Sequence, residues 1–220
     1  MSTPAAGEED LRAADGRVPG RRGRATRQRL LEQTADMLTT TNYRDLKVVD
    51  IARAANTSPA TFYQYFPDVE ATVLVLAEEM IEDGARLPAL VRGGSWRGRG
   101  GYATSVALVD GFLEFWERHR SVLRVVDLAS AEGDARFHNV RTRLLNGVTV
   151  ALREVIGQRS AGRAGDGIDP MATAGVLVAM VAHVSAHRYG FEFWGIRTED
   201  VRRSMAGMVF WSVSGQRPPT

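Results

Sequence analysis

The stretch from Val48 to Phe66 constrains the fold most. Helical patterning starts at Val48, breaks at Asn56-Thr57-Ser58, resumes at Pro59 and stops at Pro67. Two short helices separated by three residues have the layout of a helix-turn-helix. Ile51, Ala52 and Ala55 form the apolar face of the first helix. Asn56 falls where the chain must reverse, and asparagine tolerates the left-handed conformation better than most residues. Ser58 is a natural N-cap, and Pro59 suits the first helical position after it. Spacing alone fits a tight α-hairpin in any all-helical protein equally well.

The second helix offers Ala60, Thr61, Tyr63, Gln64 and Tyr65. Small residues allow close approach to base edges and polar tips supply hydrogen bonds. Gln64 is suited to adenine, Tyr63 and Tyr65 to phosphates, and Thr61 to either. Phe62 and Phe66 read as anchors into a small core. The charge distribution agrees with an anionic polymer as partner. Gly16 to Leu30 holds Arg17, Arg21, Arg22, Arg24, Arg27 and Arg29 with no acid, although net charge is only +2. Such a block also serves as a merely solvated tail.

The rest of the 220 residues is helical in pattern, with no period-two run long enough for a strand. One helix follows from Thr26 to the Thr39–Asn42 break, and another starts at the N-cap Asp68 and reaches about Leu87. Arg92 to Gly101 reads as a glycine-rich linker in which Trp96 either lids a pocket or lies free. Further helices are expected over Tyr102–Arg118, Ser121–Ala131, Asp134–Ile156, Pro170–Tyr189 (capped by Asp169) and Thr198–Val213. We expect an all-α fold of about nine helices. Residues 1–23 are expected to be a disordered arginine-rich arm, 24–68 a DNA-binding domain and 69–214 a larger helical domain.

The absence of cysteine excludes disulfides and thiol chemistry. No uninterrupted apolar run reaches membrane-spanning length and no secretory signal precedes the helices, so a cytoplasmic protein without a membrane partner is expected. No serine elbow, phosphate loop or dinucleotide fingerprint is present. His183 and His187 have metal-ligand spacing on a helix, but the zinc-protease glutamate is missing and no third ligand can be named. We therefore expect no catalytic residues, no metal and no cofactor. The alternative reading is an all-α small-molecule-binding protein or enzyme with an incidental helix-turn-helix.

The run Tyr43 to Phe66, with Asp50-Ile51-Ala52, Ala55, Ser58, Thr61, Tyr63, Tyr65 and Phe66 as anchors, resembles the DNA-binding domain of the tetracycline-repressor (TetR) family. That resemblance implies a ligand-responsive, homodimeric transcriptional regulator, most often a repressor, on a palindromic double-stranded operator. Taken with the second helix, the arginine block as an arm for the minor groove, and Lys47 as an added cation near the phosphates, it gives expected DNA contacts from Arg24, Arg27, Lys47, Ser58, Pro59, Ala60, Thr61, Tyr63, Gln64 and Tyr65. Three departures stand out: Asn56 replaces the usual glycine, Lys47 the usual hydroxyl cap, and Val69 the usual phosphate-binding lysine. The resemblance also implies an apolar small-molecule pocket, with Phe112, Phe115, Trp116, Phe137, Leu144 and Met180 as candidates and Asp110, Asn139 or His183 as polar handles. Dimerisation is expected through the last two helices, by Val176, Met180, Val184, Met205, Met208 and Val209.

Overall fold

A computed structural model describes residues 20–160 and 169–219. The described residues are helical, with no strand among them. Residues 1–19 and 161–168 lie outside the described residues; a flexible loop is expected from the sequence over Gly157–Gly167, but its first four residues belong to a helix that runs to Ser160.

The chain forms two compact units. The first combines residues 1–80 with 121–140; the second combines 81–120 with 141–220. In the first, α1 (Arg21–Thr40), a 3-10 turn (Tyr43–Asp45), α2 (Val48–Ala54) and α3 (Pro59–Tyr65) precede α4 (Val69–Gly84), inside which the unit boundary falls. Helix α1 already begins at Arg21, so Arg21 and Arg22 belong to a helical turn rather than to a loose arm. Its buried residues Leu30, Leu31, Thr34 and Leu38 recur at three- and four-residue steps. Helix α4 starts as expected, with Asp68 Oδ1 accepting the Ala71 amide at 2.7 Å. Tyr43 donates to Glu70; burial first, then this carboxylate, raises its phenol pKa well above the ordinary value.

Helix α7 (Arg120–Ala131) and the start of α8 (Ala135–Ser160) supply the rest of the first unit. Val122, Leu123, Val125, Val126, Ala129 and Phe137 are buried there. An Arg44–Glu132 ion pair joins the 3-10 turn to the end of α7.

The second unit departs from the sequence reading in several places. Helix α4 does not reach Leu87; it stops at Gly84, and α5 (Arg86–Gly93) follows. The expected glycine-rich linker is mostly helix, because α6 (Gly98–Arg118) begins within it. Trp96 is neither lid nor free: it is 6% exposed and its Nε1–H donates to the Val91 carbonyl at 2.9 Å. Gly101 explains part of this composition. A Cβ there would lie 2.6 Å from the Trp96 backbone and 2.8 Å from the Phe210 ring.

Helix α9 (Pro170–His187) is capped by Asp169, whose side chain accepts the Ala172 amide at 2.6 Å. A 3-10 stretch (Arg188–Trp194) then precedes α10 (Thr198–Ser214); its N-cap is Arg197 rather than Thr198. Helix α6 packs against α5, α9 and α10. Arg202 of α10 clasps Asp110 of α6 with two hydrogen bonds.

Candidate nucleic-acid interface and ligand-binding helices

The turn between α2 and α3 is built as the residue types demand. Asn56 has φ +54°, the one described non-glycine residue in the left-handed region. The chain closes there with Thr57 N–H on the Ala52 carbonyl at 2.9 Å. Ser58 Oγ then accepts the Thr61 amide at 3.1 Å and shares a 3.0 Å hydrogen bond with the Thr61 hydroxyl. This cap anchors α3, which has only seven residues and too few internal bonds to stand alone. Phe62 is wholly buried, with the Tyr63 and Phe66 rings 5.8 and 5.7 Å away.

Phe62 thus fixes which side of α3 faces water. Ser58, Pro59, Ala60 and Gln64 are exposed, as are Lys47 and Tyr63, the latter at 53%. Thr61 and Tyr65 are half-buried. Arg24 is exposed near the start of α1, beside Arg21 and Arg22, and that first turn contains no acid. Arg27 is different. It is 9% exposed and its guanidinium lies 5.2 Å from the Phe66 ring centroid. Arg27 is thus enclosed against the end of α3, unlike the exposed arginines around it. Val69 is also buried, so the position where a lysine was anticipated contributes packing. Val49, 49% exposed on α2, was not singled out from the sequence; apolar residues on a wet face give no periodic signal.

In the second unit, Phe112, Phe115, Trp116 and Leu144 are at most 7% exposed. The Phe112 and Trp116 rings stack at 5.6 Å, and Phe115 contacts Trp116 at 5.5 Å and His119 at 4.7 Å. Leu144 joins them beside Gly84, where an added Cβ would meet both Leu144 and Phe115. Phe137 is wholly buried in the first unit.

The three expected polar handles lie elsewhere. Asp110 is committed to Arg202, and Asn139 and His183 are exposed. His183 instead stacks on His187 at 4.3 Å on the outer side of α9. No group of three metal-ligating side chains converges among the described residues. Polar atoms that do lie inside this unit were missed: the Trp116 indole nitrogen and the Ser185 hydroxyl are buried. Sequence gives no sign of this, because a helical serine commonly turns outward.

The second unit also displays an apolar outer face. Val176 of α9 and Met208 of α10 are 67% and 52% exposed, and Met180 and Val184 are half-buried. Met205 and Val209, expected on that face, are 3% and 0% exposed and belong to the interior of their own chain. They sit on the adjoining inner side of α10, and the sequence reading merged the two stripes. Trp211, three residues after Met208 and 62% exposed, is on the outer side and was overlooked.

An open recess of about 430 Å³ lies where α8 and α9 approach, lined by Arg153, Glu154, Gly157, Gln158, Asp169, Pro170 and Met171. None of the expected ligand residues lines it.

Comparisons with known proteins agree with this anatomy. A model of tetracyclin repressor-like C-terminal domains matches residues 87–220, and a model of bacterial regulatory proteins of the tetR family matches residues 30–73. No curated protein matches the chain. Among solved structures, a TetR-family transcriptional regulator from Rhodococcus sp. is 22% identical, with TM-score 0.58, covering 87% of this chain and all of its own. FadR from Bacillus subtilis, solved with stearoyl-CoA, is 14% identical with TM-score 0.61, covering 86% of this chain and 99% of its own. AibR, solved with isovaleryl coenzyme A and operator DNA, is 15% identical with TM-score 0.59, covering 84% and 98%. The C-terminal match alone spans more than half of the sequence, and the N-terminal match falls on the capped helix-turn-helix; the chain belongs to the tetracycline-repressor (TetR) family of bacterial regulatory proteins.

Proposed function

We propose that the protein is a cytoplasmic homodimer that represses transcription from a palindromic operator and is released by a small ligand. The observation that carries this is α3: a short, capped helix anchored by Phe62 that presents Ala60, Tyr63 and Gln64 to water. Residues 24–68 would read DNA, with Gln64 and Thr61 on base edges. Lys47, Tyr63, Tyr65 and the arginines of the first turn of α1 would touch phosphates. Residues 69–214 would bind ligand and partner. The outer face of α9 and α10, with Val176, Met208 and Trp211, would be covered by its twofold copy. A twofold dimer offers two α3 helices to half-sites about one turn (~34 Å) apart.

Release then follows from linkage. A ligand that binds better when the two α3 helices are mis-spaced lowers operator affinity by its differential binding free energy. That AibR and FadR were solved with coenzyme A thioesters, and AibR also with operator DNA, supports a protein of this shape joining the two kinds of binding.

The test is a gel shift with DNA from upstream of the protein's own gene, across a salt series. Specific binding should weaken steeply with salt, at a slope near 0.9 per phosphate contact. Gln64→Ala should cost roughly 1–3 kcal/mol on the specific site and little on random DNA. Equal loss on both DNAs would show that Gln64 reads no base.

A further inference from the structure

The outer side of α9 carries two imidazoles with no part in the interior. His183 and His187 are four residues apart, close to one full turn, so both side chains rise from one face of the helix. Both are exposed, and their rings lie 4.3 Å apart at an interplanar angle of 25°. Among the described residues the carboxylate-bound histidine is His119, which pairs with Asp83; neither ring of the α9 pair has such a partner. The pair is therefore not accounted for by packing or by an ion pair.

Two further features prepare these rings for a cation. The His187 Nδ1 lies 3.0 Å from the His183 carbonyl oxygen. A carbonyl only accepts, so the hydrogen bond puts the proton on Nδ1 and leaves Nε2 with its lone pair. Metal-binding histidines are commonly held in this way, the second ring nitrogen donating to a backbone carbonyl that fixes both tautomer and orientation. His187 is also the last residue of α9, where the free carbonyls at the end of the helix favour positive charge.

We infer that His183 and His187 chelate a divalent transition-metal ion. Two histidines at this spacing on one helix face supply two of the ligands in helical zinc sites. Each nitrogen must come within about 2.0–2.1 Å of a zinc ion. Both side chains are exposed, so the stacked rings can open around the ion without disturbing the core. Imidazole suits zinc, nickel and copper, whereas magnesium takes oxygen ligands. A tetrahedral ion has two positions left. Water fills them on a single chain; the same pair of a twofold copy fills them where two outer faces meet. The chelate itself uses residues of one chain and does not depend on DNA binding.

The experiment titrates the full-length protein, free of any histidine tag and of DNA, with Zn2+, Ni2+ and Mg2+ by calorimetry and thermal shift. Zn2+ and Ni2+ should each bind at least tenfold more tightly than Mg2+. His183→Ala and His187→Ala should each weaken both transition ions tenfold or more. His138→Ala, at an exposed histidine of α8, should leave binding unchanged. All three side chains are exposed, so circular dichroism of the variants should match the parent and the loss of metal binding reads the site rather than the fold. One ion per chain means that water completes the coordination, and one ion per two chains means that the copy does; either result supports the chelate. Mg2+ bound as tightly as Zn2+, neither transition ion bound, or α9 variants that bind metal like the parent would overturn the inference. Loss of binding in His138→Ala would also overturn it, by moving the ion to the other unit.

Discussion

At the scale of single residues, the informative positions are those where charge and burial disagree. Arg27 lies in a run of arginines whose other described members are at the surface, yet it is 9% exposed and sits over the Phe66 ring. Its removal should therefore act through the fold. A cation–π contact contributes about 0.5–2 kcal/mol, and the lost packing of the stem adds to it. Arg27→Ala should lower the melting point by several degrees, whereas Arg24→Ala should leave melting unchanged and flatten the salt dependence of DNA binding. The reverse pattern in calorimetry and gel shift would reassign Arg27 to the DNA. The charge run hid the difference between these two arginines, although Arg27 falls three and four residues before Leu30 and Leu31, on the buried stripe of α1. Ser58, Pro59 and Asn56 were readable, because capping, proline φ and left-handed tolerance are properties of one residue and its immediate neighbours.

At the scale of elements, the helices were legible where an apolar stripe and an end signal coincide. Asp169-Pro170 opens α9 and Asp68 opens α4 as anticipated. The sequence misled where glycine was read as flexibility. Gly101 is buried in α6, at a point where Trp96 and Phe210 leave no room for a Cβ. Gly101→Ala should thus destabilise the protein by roughly 1–3 kcal/mol through overpacking, despite alanine's better helix propensity. Chemical denaturation checks this, and a more stable variant would show that Trp96 yields easily. Gly157, with nothing within reach of an added Cβ, is the control: alanine there should stabilise modestly. The two α10 stripes illustrate a second limit. Met205 and Val209 differ from Met208 only in angle around the helix, so composition could not tell the inner side from the outer.

For the whole molecule, the outer face of α9 and α10 decides the assembly we propose. Trp211 is 62% exposed beside Met208, too much apolar surface to leave in water without consequence. Trp211→Glu would place a charge in the paired face, where desolvation is costly. We expect a monomer by light scattering at micromolar concentration and loss of specific DNA binding, with little change in helical content. A variant that remains dimeric would move the twofold contact elsewhere. The family was legible from one short motif, because its side chains must meet a fixed external object. The ligand-binding half was not, because many apolar sequences satisfy the same packing.

The first compact unit is stitched from two separated pieces of chain, 1–80 and 121–140. A gene truncated after Met80 would therefore encode an incomplete body, leaving behind Val125, Val126 and Phe137 and parting Arg44 from Glu132. Evolution cannot easily trade the operator reader of this protein as a cassette, since it must carry the sensor's sequence with it. Any hybrid regulator assembled by simple end-to-end fusion at that point should be soluble only as a fragment of the original stability.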